Sequence, residues 1–99
     1  MTITSGMGSI ADNTSGGAFA YRSSKAAVNM VMRSLAIDLA PRGITCVVVN
    51  PGSVRTDMGG PYATLTPAES VTRLRRFIDT LGQAQSGRFF NYDGREYDW

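Results

Sequence analysis

Apolar positions along this chain alternate between short continuous runs and stripes at helical spacing. Residues 1–4, MTIT, read as the tail of a strand, too short to be a whole one. Residues 5–20 are rich in Gly and Ser around Asp12, Asn13 and Thr14, which is loop composition. Residues 21–40 contain no Gly or Pro and many strong helix formers, so they predict a helix. Arg22, Lys25, Asn29 and Arg33 fall on one narrow polar stripe of it. Val28, Met30, Val31, Met32, Leu35, Ile37 and Leu39 make most of the remaining surface apolar. A helix so widely apolar is expected to be buried on two sides, against a sheet and against another helix or a second subunit. Pro41 and Gly43 end it.

The run 44–50, ITCVVVN, is continuous and β-branched, the pattern of a central parallel strand covered on both faces. Pro51 and Gly52 stop it, and 53–65 is a loop containing Gly59, Gly60 and Pro61. A second helix starts near Pro67, with Thr66 as N-cap, Pro67 at the first helical position and Glu69 completing a capping box. Its expected apolar stripe is Val71, Leu74, Ile78 and Leu81, with Gly82 closing it. Residues 88–92, RFFNY, predict a last strand, Asp93-Gly94 a turn, and REYDW a short returning partner. The order strand end, helix, strand, helix, strand implies an α/β architecture with a parallel sheet and right-handed crossovers. It matches the second half of a doubly wound, Rossmann-type domain.

Composition narrows the function. The 99 residues, 42% hydrophobic and 18% charged, suit one small globular domain and not a disordered chain. No run reaches the ~18 apolar residues of a membrane span, and no basic-then-apolar leader opens the sequence, so a cytoplasmic protein is expected. A net charge of +2 is too mild for a nucleic-acid binder, and Arg73, Arg75 and Arg76 read as the polar face of a helix. The lone Cys46 excludes an internal disulfide and a Cys-pair zinc site, so no metal is expected. With no His, every Ser-His-Asp or Cys-His system is excluded, and acid–base chemistry falls to Tyr, Lys, Asp or Glu.

Three places carry such chemistry. Tyr21 and Lys25 stand four apart and share a helix face. A phenol ordinarily titrates near ~10, and a neighbouring cation favours its phenolate. Taken alone, the pair is equally a surface tyrosine beside a solvated lysine. Ser5 follows the first strand, where a hydroxyl could donate to a carbonyl oxygen and to the alkoxide it becomes. Pro51-Gly52-Ser53-Val54-Arg55-Thr56 leaves the carboxyl end of the buried strand, where open α/β sheets bind ligands. Gly6-x-Gly8-x-x-Ala11 imitates a dinucleotide fingerprint, but that motif must open a helix at once, and here it runs into DNTSGG.

Together, the ordered set resembles the C-terminal part of the short-chain dehydrogenase/reductase family over nearly the whole chain. ITSGMGSI is similar to its serine segment, AYRSSKAAVNM to its Tyr-x-x-x-Lys helix, and VVVNPGSVRTDMGG to its Pro-Gly segment. The ending GRFFNYDGREYDW resembles the carbonyl-reductase-like and C-factor-like subgroup. The resemblance implies catalytic roles for Ser5, Tyr21 and Lys25. It also implies an NAD or NADP nicotinamide site formed by Tyr21, Lys25, Pro51, Gly52, Val54 and Thr56. The implied reaction is hydride transfer between the nicotinamide and a small carbonyl or alcohol substrate, with Tyr21 as the acid–base. A homo-oligomer packed through helix 21–40 follows from the same resemblance.

The family's Thr-Gly-x-x-x-Gly-x-Gly loop, its Asn-Ala-Gly segment and its catalytic Asn have no match in this sequence, and Ser5 precedes Tyr21 by 16 residues, more than the usual family spacing. The expectation is therefore a partial oxidoreductase domain, inactive alone. The competing expectations are a non-enzymatic dimerisation or interaction module and a truncated product without function.

Overall fold

The computed structural model describes residues 1–99. Strand β1, Thr2–Ile3, leads through a 3-10 turn at Gly6–Gly8 and an exposed loop into helix α1, Phe19–Leu39. Strand β2 is Val48–Asn50, helix α2 is Pro67–Asp79, and strands β3, Phe89–Asn91, and β4, Glu96–Tyr97, close the chain. The sheet order is β1-β2-β3-β4, parallel across the first three strands and antiparallel at β4. Asp93-Gly94 makes the expected turn, with Gly94 N–H donating to Asn91 O and Asn91 N–H to Arg95 O.

Alternation along the strands gives the sheet two covered faces. On one, Thr2 Oγ1 donates to Met32 Sδ and Thr4 Oγ1 to Asn29 Oδ1, so α1 lies there. On the other, Val47, Val49 and Phe90 pack with Leu74 and Phe77 of α2 into the main apolar core. The Phe77 and Phe90 rings meet tilted, 5.0 Å apart. Helices on opposite faces make the fold doubly wound, as expected. Three parallel strands in chain order with helices on opposite faces also require crossovers of opposite hand. Right-handed connection throughout, the general rule, therefore fails at one of the two.

Several local expectations are revised. Only Val48–Asn50 of the run 44–50 pairs as a regular strand, because Cys46 is held irregularly by residues 86–87: its N–H donates to Ser86 Oγ and its carbonyl accepts from Gly87 N–H. Cys46, Val47, Val48 and Val49 are nonetheless all buried, as the run predicts. Thr66 does cap α2, accepting from Glu69 N–H, but the returning half of a capping box is not formed. Gly82 is not the left-handed cap. Thr80 caps α2, and Gly82, in extended backbone, opens a further 3-10 turn. The buried side of α2 is Ser70, Leu74 and Phe77, whereas Val71 and Ile78 are exposed.

Within one copy of the chain α1 is buried on one side only, and the side that the sequence expects another helix or a second subunit to cover is bare. Only Asn29 and Ala36 are buried, and Met30, Val31, Leu35 and Ile37 face outward. Part of the polar stripe faces the protein instead. Asn29 meets Thr4 and the Gly8 carbonyl, and Arg33 Nη1 donates to Gly87 O at 2.9 Å. The helix turns these polar groups inward because unpaired backbone carbonyls and a buried hydroxyl wait there, and such groups are costly to leave unpaired.

Candidate active site

β1 and β2 run parallel, so their carboxyl ends open on the same edge of the sheet. A cavity of about 760 Å³ lies at that edge, between the loop after β1, the first turn of α1, the loop after β2 and the start of α2. Ser5, Tyr21, Pro51, Gly52, Val54 and Thr56 all line it. Six of the seven residues singled out in the sequence thus meet at one place, although they come from three separate segments.

The seventh, Lys25, does not line the cavity. Its Nζ sits 5.7 Å from the centre of the Tyr21 ring, one helical turn away, as the i,i+4 spacing requires. Lys25 is partly buried against the turn after β1, where a side chain at Gly8 would collide with its Cβ and backbone. The bare α-carbon of Gly8 is what lets α1 approach the serine segment.

Ser5 caps that turn: its Oγ accepts from Met7 N–H at 3.1 Å. A hydroxyl that accepts in this way keeps its own proton to donate, and Ser5 lies on the cavity wall. Arg22 holds the same turn, its Nη2 donating to Ser15 Oγ and its Nη1 contacting Met7 O at 3.5 Å. No α-helix opens at Gly6–Gly8, so the dinucleotide lookalike there has none of the required geometry.

After β2 the chain turns at Gly52, whose φ of +85° places it in the left-handed region that favours glycine. A Cβ there would also strike the Tyr92 ring and Leu65. The following loop is tied back on itself: Arg55 N–H donates to Leu65 O, Leu65 N–H to Ser53 O, and Arg55 Nε to Ala63 O. Thr56 Oγ1 accepts from Gly59 N–H, again leaving a hydroxyl proton free.

Sequence reading missed the supporting polar groups. Asn50 Nδ2 donates to Asn91 Oδ1 and Tyr97 Oη, joining the ends of β2, β3 and β4 next to the cavity. Ser70 Oγ donates to Pro51 O at 2.8 Å and fixes α2 against the Pro-Gly segment. A polar residue ending an apolar strand run was the available signal for Asn50. Ser70 had none. No group of three His, Cys, Asp or Glu residues is placed to hold a metal ion, and no helix is long and apolar enough to cross a membrane.

The short chain dehydrogenase family profile matches residues 1–65. The chain is 56% identical over 97 residues to the C-signal of Myxococcus xanthus, covering 98% of this chain and 58% of that protein. Among solved structures it is similar to the carbonyl reductase Sniffer of D. melanogaster, with a TM-score of 0.95 and 46% identity over 98% of this chain and 39% of that one. It also matches an NADPH-bound carbonyl reductase from chicken fatty liver, with a TM-score of 0.89 and 39% identity over 98% and 41% of the two chains. The chain thus spans little more than half the length of that curated relative, and less of the two solved ones.

Proposed function

This chain belongs to the short-chain dehydrogenase family, and on that premise we propose that it carries the proton-transfer and nicotinamide-facing part of an NAD(P)-dependent oxidoreductase acting on small carbonyls or alcohols. The observation that carries this reading is that Ser5 and Tyr21 line one cavity at the carboxyl ends of two parallel strands.

The donor set suits the nicotinamide end of such a cofactor. The lining is uncharged, with the Thr56 and Ser5 hydroxyls available to donate. Tyr21, Lys25 and the segment Pro51, Gly52, Val54 and Thr56 would hold that end, and the cofactor when bound supplies or accepts the hydride. In the reducing direction, Ser5 O–H donates to the carbonyl oxygen and orients it. Tyr21 O–H gives its proton to the same oxygen as negative charge develops there. Lys25, beside the Tyr21 ring, favours the negative charge left on the phenol oxygen. In the oxidising direction the proton returns to Tyr21.

No Gly-rich pyrophosphate loop occurs in these residues. The purified chain is therefore expected to bind the dinucleotide weakly and to reduce no carbonyl at a measurable rate. Clear NAD(P)H-dependent reduction by the chain alone would contradict that part. The test of the reading is a graft. Residues 1–99 replace the matching segment of the Drosophila carbonyl reductase, and NADPH-dependent ketone reduction is measured. Activity that falls at least 100-fold in Tyr21→Phe supports the reading. A folded, NADPH-binding graft without activity, or one indifferent to Tyr21→Phe, contradicts it.

A second reading rests on the apolar outer face of α1. Met30, Val31 and Ile37 are each more than half exposed, and a second copy of the chain would cover them. This homo-oligomeric reading is compatible with the first.

A further inference from the structure

The turn that carries Ser5 is held from two sides, and α1 is only one of them. Gly8 faces the helix, where an added Cβ would stand 2.9 Å from Lys25 Cβ. Gly6 faces the last strand, where an added Cβ would stand 3.0 Å from Tyr97 Oη. That hydroxyl accepts from Asn50 Nδ2 at 3.2 Å, and Asn50 lines the cavity together with Ser5 and Gly6. Two further bonds join the same two segments. Ser9, fully buried, donates from its Oγ to Asp98 O at 2.6 Å, and Ala11 N–H donates to Trp99 O at 3.0 Å. Residues 97–99 therefore back residues 6–11 at three successive points. Their own footing is the core: the Tyr97 and Trp99 rings stack on Phe89 at 4.7 and 5.6 Å, and Phe89 is wholly buried. Tyr97 does not line the cavity, and it lies outside residues 1–65 that match the family profile.

We propose that Tyr97 is a positioning residue: its hydroxyl, held by Asn50 against Gly6, sets where the Ser5 turn stands relative to Tyr21. The bonds inside the turn fix its shape but not its place. Met7 and Gly8 N–H donate to Ser5, and Ser9 N–H donates to Gly6 O, all within the turn itself. The Gly8 contact and the bond from Thr4 to Asn29 hold the turn to α1. The Tyr97 oxygen closes the other side, and the Asn50 N–H fixes that oxygen in turn. A phenol suits the task, because its ring is anchored by stacking while its hydroxyl reaches a polar partner. The reach matters because a misplacement of about 1 Å in a reacting group can cost roughly 100-fold in rate. The catalytic consequence rests on the oxidoreductase reading, whereas the hold on the turn does not.

The test uses the full 99-residue chain and the graft. Tyr97→Phe deletes the hydroxyl and keeps the ring on Phe89. In the chain, the Met7, Gly8 and Ser9 amides are expected to exchange with deuterium about fivefold faster or more, with the amides of residues 28–32 in α1 unchanged. Gly6→Ala should loosen the same three amides by crowding the Tyr97 oxygen. In the double variant the added methyl takes the space the hydroxyl leaves, so these amides should exchange more slowly than in either single variant. In an active graft, Tyr97→Phe is expected to lower kcat about tenfold with KM for NADPH unchanged. Turn amides as protected in Tyr97→Phe as in the native chain, a double variant no slower than the single ones, or an unchanged kcat would each overturn the proposal. A uniform rise in exchange across α1 and the turn would overturn it too, since it assigns Tyr97 to global stability. A graft inactive before any substitution contradicts the oxidoreductase reading instead, and the turn amides still decide the hold.

Discussion

The Thr4 hydroxyl donates to the Asn29 side-chain carbonyl at 2.7 Å, and both residues are buried. Thr4 adjoins Ser5, and Asn29 lies one helical turn beyond Lys25, so this bond ties the serine segment to the helix that carries Tyr21. Asn29 Nδ2 also reaches toward Gly8 O at 3.5 Å. Removing either partner of the short bond leaves a buried polar group unpaired, which costs about 1–3 kcal/mol. Thr4→Val and Asn29→Leu are each expected to destabilise the chain by that amount, and the double variant by less than the sum. A denaturant double-mutant cycle measures the coupling, and strict additivity would show that the bond contributes nothing.

Gly8 makes the same junction sterically. A methyl group there would stand 2.9 Å from Lys25 Cβ and 3.0 Å from its carbonyl carbon. Helix backbone cannot swing aside as a side-chain tip can, so Gly8→Ala is expected to destabilise by about 1–3 kcal/mol through overpacking. For a domain of this size each kilocalorie lowers Tm by roughly 4–8 °C. An unchanged melting temperature would mean that α1 and the serine segment are not held as closely as described.

Most of the architecture was legible in the sequence, because local rules and global fold agree there. Thr66-Pro67 starts a helix by capping chemistry, Asp93-Gly94 turns a hairpin, and the β-branched run at Cys46–Val49 is buried on both faces. That six of the candidate residues line one cavity was legible for a related reason. Motifs distant in the chain meet because parallel strands bring their carboxyl ends together, which topology alone requires. The orientation of α1 was not legible. Amphipathic reasoning assigns apolar residues to the interior, but the inner neighbours of α1 include a threonine hydroxyl and the carbonyls of Gly8 and Gly87, so Asn29 and Arg33 serve the inside. The α2 stripe holds at Leu74 and Leu81, whereas Val71 lines the cavity, Ile78 is exposed and Phe77 joins the core. The hand of the crossovers is invisible to residue pattern altogether.

The bare apolar face of α1 predicts self-association. Val31→Glu together with Leu35→Glu should shift the chain toward monomer in sedimentation velocity while leaving its circular dichroism unchanged. A monomeric native chain at high micromolar concentration would contradict the homo-oligomeric reading.

The β3–β4 hairpin is clasped by Arg88 and Glu96, whose side chains form a two-pronged ion pair, with Arg88 Nε 2.8 Å from Glu96 Oε1. The hydrogen bonds from Arg88 hold the Glu96 carboxyl below its usual range. A carboxyl whose folded-state pKa is depressed contributes stability above its unfolded value of about 4.3, and that contribution disappears as pH falls through the folded value. Both side chains are exposed, so the effect is small and screened by salt. The Tm difference between the native chain and Glu96→Gln should be present at pH 7 and vanish in acid below the carboxylate range. A difference independent of pH would assign the clasp to packing.

The most direct test of the central claim is a titration of the purified chain with nicotinamide riboside, which carries the nicotinamide and ribose without the pyrophosphate a Gly-rich loop would hold. Weak, saturable binding is predicted, with NMR shifts concentrated at Ser5, Tyr21 and Gly52–Thr56 and weakened at least severalfold by Lys25→Met. Shifts scattered over the surface, or none at millimolar concentrations, would contradict the assignment of these residues to a nicotinamide site.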